Sequence, residues 1–173
     1  MMKGILIIPL LLLTNCDNAQ DETALFQDAF SAVFESFAEI GIRDPYVFRT
    51  LVKSLDEDVI RQDLNTFEAL SRMGFDIEHI IGIWEKYKGK DLSAYVTEEH
   101  LNFLVPEDSI VDRGTRIGFS APVFNSDTSF FFIYMESETN EAYWVNRSHL
   151  YLMYAKENGS WIWAMATADY PDI

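Results

Sequence analysis

From Glu22 to Ile40, the apolar residues Leu25, Phe26, Ala29, Phe30, Val33, Phe34, Phe37 and Ile40 recur every three or four positions, with Gln27, Asp28, Ser31, Glu35 and Glu39 between them. That period predicts an amphipathic helix ended by Gly41. Asp44-Pro45 fits an N-cap followed by proline in the first turn, and Val47, Phe48, Leu51, Val52 and Leu55 continue the helical spacing, so a second helix is expected there. Asp56 is the cap of a third, with Val59, Ile60, Leu64, Phe67 and Leu70 on one side and Gly74 beyond its end. Asp76 is the cap of a fourth, carrying Ile77, Ile80, Ile81, Trp84 and Tyr87 before Gly89. Thr97-Glu98-Glu99 then marks the start of a short helix that Pro106 terminates.

Beyond Thr115 the period changes from 3.6 to 2. Arg116 to Ala121, Thr128 to Glu136, Glu141 to Ala155 and Ser160 to Thr167 are rich in aromatic and β-branched residues. Turns are expected at Asn125-Ser126-Asp127, Thr139-Asn140 and Glu157-Asn158-Gly159, with a break in the third strand near Asn146. Asn158-Gly159 is the strongest hairpin signal, because both residues accept the positive φ of a tight two-residue turn. Helices first and strands afterwards predict an α+β domain over residues 21–173, helical to about 114, with N-terminal helices packed on a C-terminal four-stranded antiparallel sheet.

The strands are apolar in both alternation classes, as in Phe130-Phe131-Phe132-Ile133-Tyr134-Met135 and Trp161-Ile162-Trp163-Ala164. An antiparallel sheet with two apolar faces needs a second cover: helix, curvature, a partner or a ligand. Phe130, Phe132, Tyr134, Tyr151, Tyr154, Trp161 and Trp163 are therefore the candidate binding surface.

Charge narrows the partners. Against 28 Asp and Glu the 173 residues set 13 Lys and Arg, a formal charge of -15, and 21 of the acidic residues precede Thr115. Phosphate-backbone binding relies on clustered cations, so nucleic acid is excluded as a partner. A basic protein would be drawn to the helical half. The single cysteine rules out an internal disulfide.

That cysteine closes the N-terminal segment. Met1-Met2-Lys3 precedes the apolar run Gly4 to Leu13, which has the length of an export-signal core. Leu13-Thr14-Asn15-Cys16 resembles the lipobox of bacterial lipoproteins. The resemblance implies a signal peptide over residues 1–15, an acylated (palmitate-bearing) Cys16 as the first mature residue, and a short tether over 16–20. It also implies a periplasmic, membrane-anchored location in the cell envelope, with Asp17 favouring the inner membrane. Further on, Phe119-Ser120-Ala121-Pro122-Val123-Phe124-Asn125 and Lys156-Glu157-Asn158-Gly159-Ser160-Trp161 resemble a pattern in uncharacterised small exported bacterial proteins. That pattern specifies a strand start and a hairpin and carries no catalytic role.

No constellation names a reaction, and no cofactor or metal is implied. Gly118-Phe119-Ser120-Ala121-Pro122 lacks the second glycine of a nucleophile elbow, and strand follows it, so Ser120 is read as a strand-edge serine. His79, His100 and His149 have no metal-ligand spacing. Glu136, Glu138 and Glu141 bracket a strand end; alternation sets the first two about 7 Å apart on one face, and solvated turn carboxylates are the simplest account. The expectation is a lipid-anchored, non-catalytic interaction module, with an immunity-type or inhibitor protein for a basic partner as one form. The alternative is a small-molecule binder or degenerate hydrolase on a helix-plus-curved-sheet fold, similar in outline to nuclear-transport-factor-like domains.

Overall fold

The computed structural model describes residues 14–51, 58, 61, 62, 64, 68–106, 114–141 and 144–169. The leader residues 1–13 and most of the expected third helix, including Val59, Ile60 and Phe67, lie outside the described residues. Its end is α2 (Glu68–Arg72). Helix α1 (Thr14–Ser36) begins ahead of Glu22, so Cys16 to Gln20 are helical here. Its buried positions Phe26, Ala29, Phe30, Val33 and Phe34 follow the three- and four-residue spacing. Helix α3 (Ile77–Tyr87) starts where Asp76 accepts a hydrogen bond from His79 N at 2.9 Å and buries Ile80, Ile81, Trp84 and Tyr87. Thr97 stands at the start of a 3-10 helix, Glu98–Phe103.

Two expectations are corrected. Asp44-Pro45 does not open a helix: Pro45–Phe48 is strand β1, parallel to both β2 (Leu104–Val105) and β3 (Gly114–Phe119). Val47 is fully buried beside its register partner Ile117, so non-local burial overrides the helical spacing. Pro45 is tolerated because β2 pairs only with Val47 and Phe48. Gly114, at φ 111°, admits the close approach of this strand: a Cβ there would lie within 3 Å of the Tyr46 ring and of Asp44 O.

The sheet is mixed rather than four-stranded and antiparallel. Its order is β2-β1-β3-β5-β6-β7, with β4 (Val123–Phe124) paired to β5 as the seventh strand. β3, β5 (Phe130–Glu141), β6 (Trp144–Glu157) and β7 (Ser160–Asp169) are successive antiparallel neighbours. Thr139-Asn140 is not a turn: both residues lie in β5, paired with Asn146 and Val145, and β6 runs through Asn146 unbroken. The Asn158-Gly159 hairpin forms as expected, with φ of 52° and 88° between the paired residues Glu157 and Ser160.

Helical segments cover both alternation classes. Phe131, Ile133 and Met135 share one class, whose β3 neighbour Phe119 meets Phe30, Phe34 and Phe37 at 6.1–6.3 Å between ring centroids. Phe132 and Tyr134 share the other and meet Trp84, each at 6.0 Å, while Phe75 reaches Phe132. Trp84 Nε1 donates to Ala121 O at 2.9 Å. A bulge then shifts the face of β7: Trp163 pairs with Tyr154 but Met165 pairs with Met153, so Met165 does not share a face with Trp161 and Trp163.

Candidate functional site

The cover over the Phe132–Tyr134 class is partial, and the strand chemistry changes where it ends. On β5 the row that reads Phe130, Phe132, Tyr134 continues as Glu136 and Glu138. In register, Glu138 lies between Arg116 of β3 and Arg147 of β6, and Glu136 lies between Gly118 and His149. Asp169 of β7 follows His149. Phe48, one residue after the partner of Ile117, brings an aromatic ring to the same side. Gly118, which is buried, contributes no side chain between Phe48 and Glu136.

The result is an open pocket of about 500 Å³ lined by Phe48, Arg116, Glu136, Ser137, Glu138, Ser148 and His149. Arg116 Nη1 is 3.4 Å from Glu138 Oε1, and its guanidinium carbon stands 5.2 Å from the Phe48 ring centroid. This holds a cation against both a carboxylate and a ring face. On the other side Tyr134 OH hydrogen-bonds His149 Nδ1, and the two rings stack at 5.9 Å. Tyr134 is itself a core residue under Trp84, so the buried aromatic layer fixes the imidazole at the pocket's inner wall. Ser137 Oγ and Ser148 Oγ meet at 2.7 Å, and Thr115 Oγ1 and Thr139 Oγ1 at 3.1 Å, tying β5 to β6 and to β3.

The aromatic residues expected to form a binding surface are not one surface. Phe132, Tyr134, Tyr151 and Tyr154 are core side chains, each 3% exposed or less. Phe130, Trp161 and Trp163 are half-buried against the core, Trp161 sitting edge-on to Phe131 at 4.9 Å. The seven also divide between the two faces, because Tyr154 and Trp163 pair with each other while Phe132, Tyr134 and Tyr151 lie opposite. The cover they need is supplied from within by α1, Phe75 and Trp84. Cys16 lies in α1.

Ser120 is 1% exposed; its hydroxyl donates to Ala121 O and accepts from Tyr134 N, bridging the step between β3 and β4. The histidines stay apart. His79 is exposed on α3, His100 is buried and stacked on Phe34 at 4.8 Å, and His149 is in the pocket. Among the described residues no group of three acidic, histidine or cysteine side chains is placed to hold a metal. Glu136 and Glu138, which the sequence sets at a solvated turn, belong to the pocket. The residues missed are Arg116, Phe48 and the role of His149; the polar continuation of the Phe132–Tyr134 row was the one signal that pointed there. No family model, no curated protein and no solved structure matches the chain.

Proposed function

We propose that the chain is a non-catalytic binding domain of the bacterial cell envelope, held at the membrane by an acyl group on Cys16, and that the pocket at the polar end of the sheet is its ligand site. The observation that carries this reading is the convergence of side chains from β1, β3, β5 and β6 on one open cavity of about 500 Å³. Cavities of several hundred Å³ with an apolar wall and a few placed polar groups are the usual form of small-ligand sites. Among the described residues the pocket has binding groups but no arrangement of nucleophile, base and oxyanion donors.

A fragment library screened by ligand-observed NMR against the purified full chain in detergent tests it. Hits on the parent should vanish in a Phe48→Ala/His149→Ala variant that keeps the parent's circular dichroism. A screen without hits, or hits indifferent to the double substitution, would overturn the reading.

The charge of -15, with most acidic residues before Thr115, favours a second reading in which the helical half captures a basic protein. Association with such a partner should then slow steeply as salt rises, since exposed charges are screened beyond about 8 Å at physiological ionic strength.

A further inference from the structure

Within the pocket, Glu138 and Glu136 differ in what faces them. Glu138 has Arg116 on one side in register, at 3.4 Å, and Arg147 as its partner on the other. Glu136 has Gly118 on one side and His149 on the other, and His149 is bonded through Nδ1 to Tyr134. No cation of a described residue reaches Glu136. Glu136 lines the open cavity together with Phe48 and His149.

We propose that the pocket takes a small organic cation, a molecule bearing a primary ammonium or guanidinium group, and that Glu136 is its counter-ion. This rests on the reading of the pocket as a ligand site and goes beyond it by naming the charge and the anchoring residue. A half-buried carboxylate with no cationic partner among the described residues is stabilised by a ligand that supplies one, and the charge-assisted hydrogen bonds formed are among the strong ones. The Arg116–Glu138 pair does the opposite work. It fills the adjoining end of the pocket with an already neutralised pair, so a ligand carboxylate placed there competes with Glu138 for the guanidinium. The chain's formal charge of -15 adds a field that draws cations and repels anions.

The test is isothermal titration of the full chain in detergent, at 150 mM salt, with agmatine, putrescine and choline, set against glutarate and 1,4-butanediol. At least one of the two primary-amine probes should bind and the anion and diol should not. Glu136→Gln, nearly isosteric, should weaken the amine about tenfold or more, the worth of one charge-assisted hydrogen bond, and Glu136→Asp less. Arg116→Gln should tighten the same amine several-fold, because it removes the competing cation. That opposite sign separates a pocket effect from loss of fold, and thermal unfolding of each variant provides the second check. Amine binding that survives Glu136→Gln unchanged would overturn the proposal, as would failure of both primary amines to bind. Glutarate binding that Arg116→Gln abolishes would overturn it while leaving the ligand-site reading in place. Failure of these probes together with an empty fragment screen would remove both.

Discussion

Tyr154 OH and Ser36 Oγ meet at 2.6 Å, joining the C-terminal part of β6 to the last residue of α1 across 118 positions of sequence. Ser36 donates its own proton to Val33 O at 2.8 Å, so Tyr154 is the donor in this bond. Its ring stacks on Phe131 at 4.5 Å and is 1% exposed. Helix and sheet are locked here by a polar bond inside an aromatic layer.

The bond has an alkaline consequence. Burial pushes the Tyr154 phenol up to about 12, with Glu39 adding to the rise and the Ser36 bond opposing it. The folded state therefore holds this proton more tightly than the unfolded chain does. The stability it contributes is complete below the unfolded value near 10 and is lost as pH climbs from about 10 through about 12, on the order of 2–3 kcal/mol in all. Tyr154→Phe should cost about 1 kcal/mol at neutral pH for the lost hydrogen bond, then lose correspondingly less on alkalinisation. Urea unfolding of both proteins from pH 8 to 12 measures this; a parent–variant difference that stays flat with pH would refute it.

What was legible in the sequence was local. Asp76 before a helical stripe and Asn158-Gly159 between two strands each act within a few residues, and both behave as their side chains dictate. β1 was not legible, because Val47, Phe48 and Leu51 satisfy helical spacing and only the distant Ile117 makes Val47 a strand residue. Thr139-Asn140 has turn composition, yet Thr139 is held by the hydroxyl of Thr115, 24 residues away. The pocket was half legible for the same reason. Alternation in β5 groups Tyr134, Glu136 and Glu138, but Arg116 and His149 join them through inter-strand register, and Phe48 through a strand that read as helix.

The turn after β4 carries strain that a substitution should relieve. Thr128 has φ of 55°, a left-handed conformation that a β-branched residue rarely adopts. The turn is held there by Asn125, whose amide donates to Met73 O at 2.8 Å and whose carbonyl accepts from Ser129 N and Phe130 N at 3.0 Å. Asparagine tolerates this conformation without glycine's entropic penalty, so Thr128→Asn should stabilise by about 1 kcal/mol, a rise of a few degrees in Tm. A fall in Tm would show that the Thr128 side chain makes a contribution larger than the strain.

Anchoring has its own test. Since Leu13-Thr14-Asn15-Cys16 resembles a lipobox, Cys16→Ser should abolish acylation and move the protein from the detergent phase to the aqueous phase, or leave it unprocessed, in a Triton X-114 partition of expressing bacteria. A variant that partitions and is processed like the parent would mean that Cys16 is not the attachment point.

Two tryptophans provide matched probes of the two covered faces. Trp84 is 3% exposed, stacks on Phe132, and its Nε1 donates to Ala121 O. Trp84→Phe removes that donor, leaves the carbonyl with Ser120 Oγ at 3.1 Å, and opens a void over the β5 row, so it should cost about 2–4 kcal/mol. Trp163 is half-buried on the opposite face, and its Nε1 is buried with no hydrogen-bond partner among the described residues. An unsatisfied donor there carries a desolvation cost of about 1–3 kcal/mol, which Trp163→Phe removes while giving up some apolar contact. The two effects oppose, so Trp163→Phe should change stability by no more than about 1 kcal/mol. Urea unfolding of the two variants side by side decides it. If Trp163→Phe proves as costly as Trp84→Phe, the Trp163 indole has a partner that the packing of β7 against α1 does not provide. If Trp84→Phe proves neutral, the segment carrying Trp84 does not seal the Phe132–Tyr134 face, and the pocket beside Glu136 extends further along the sheet.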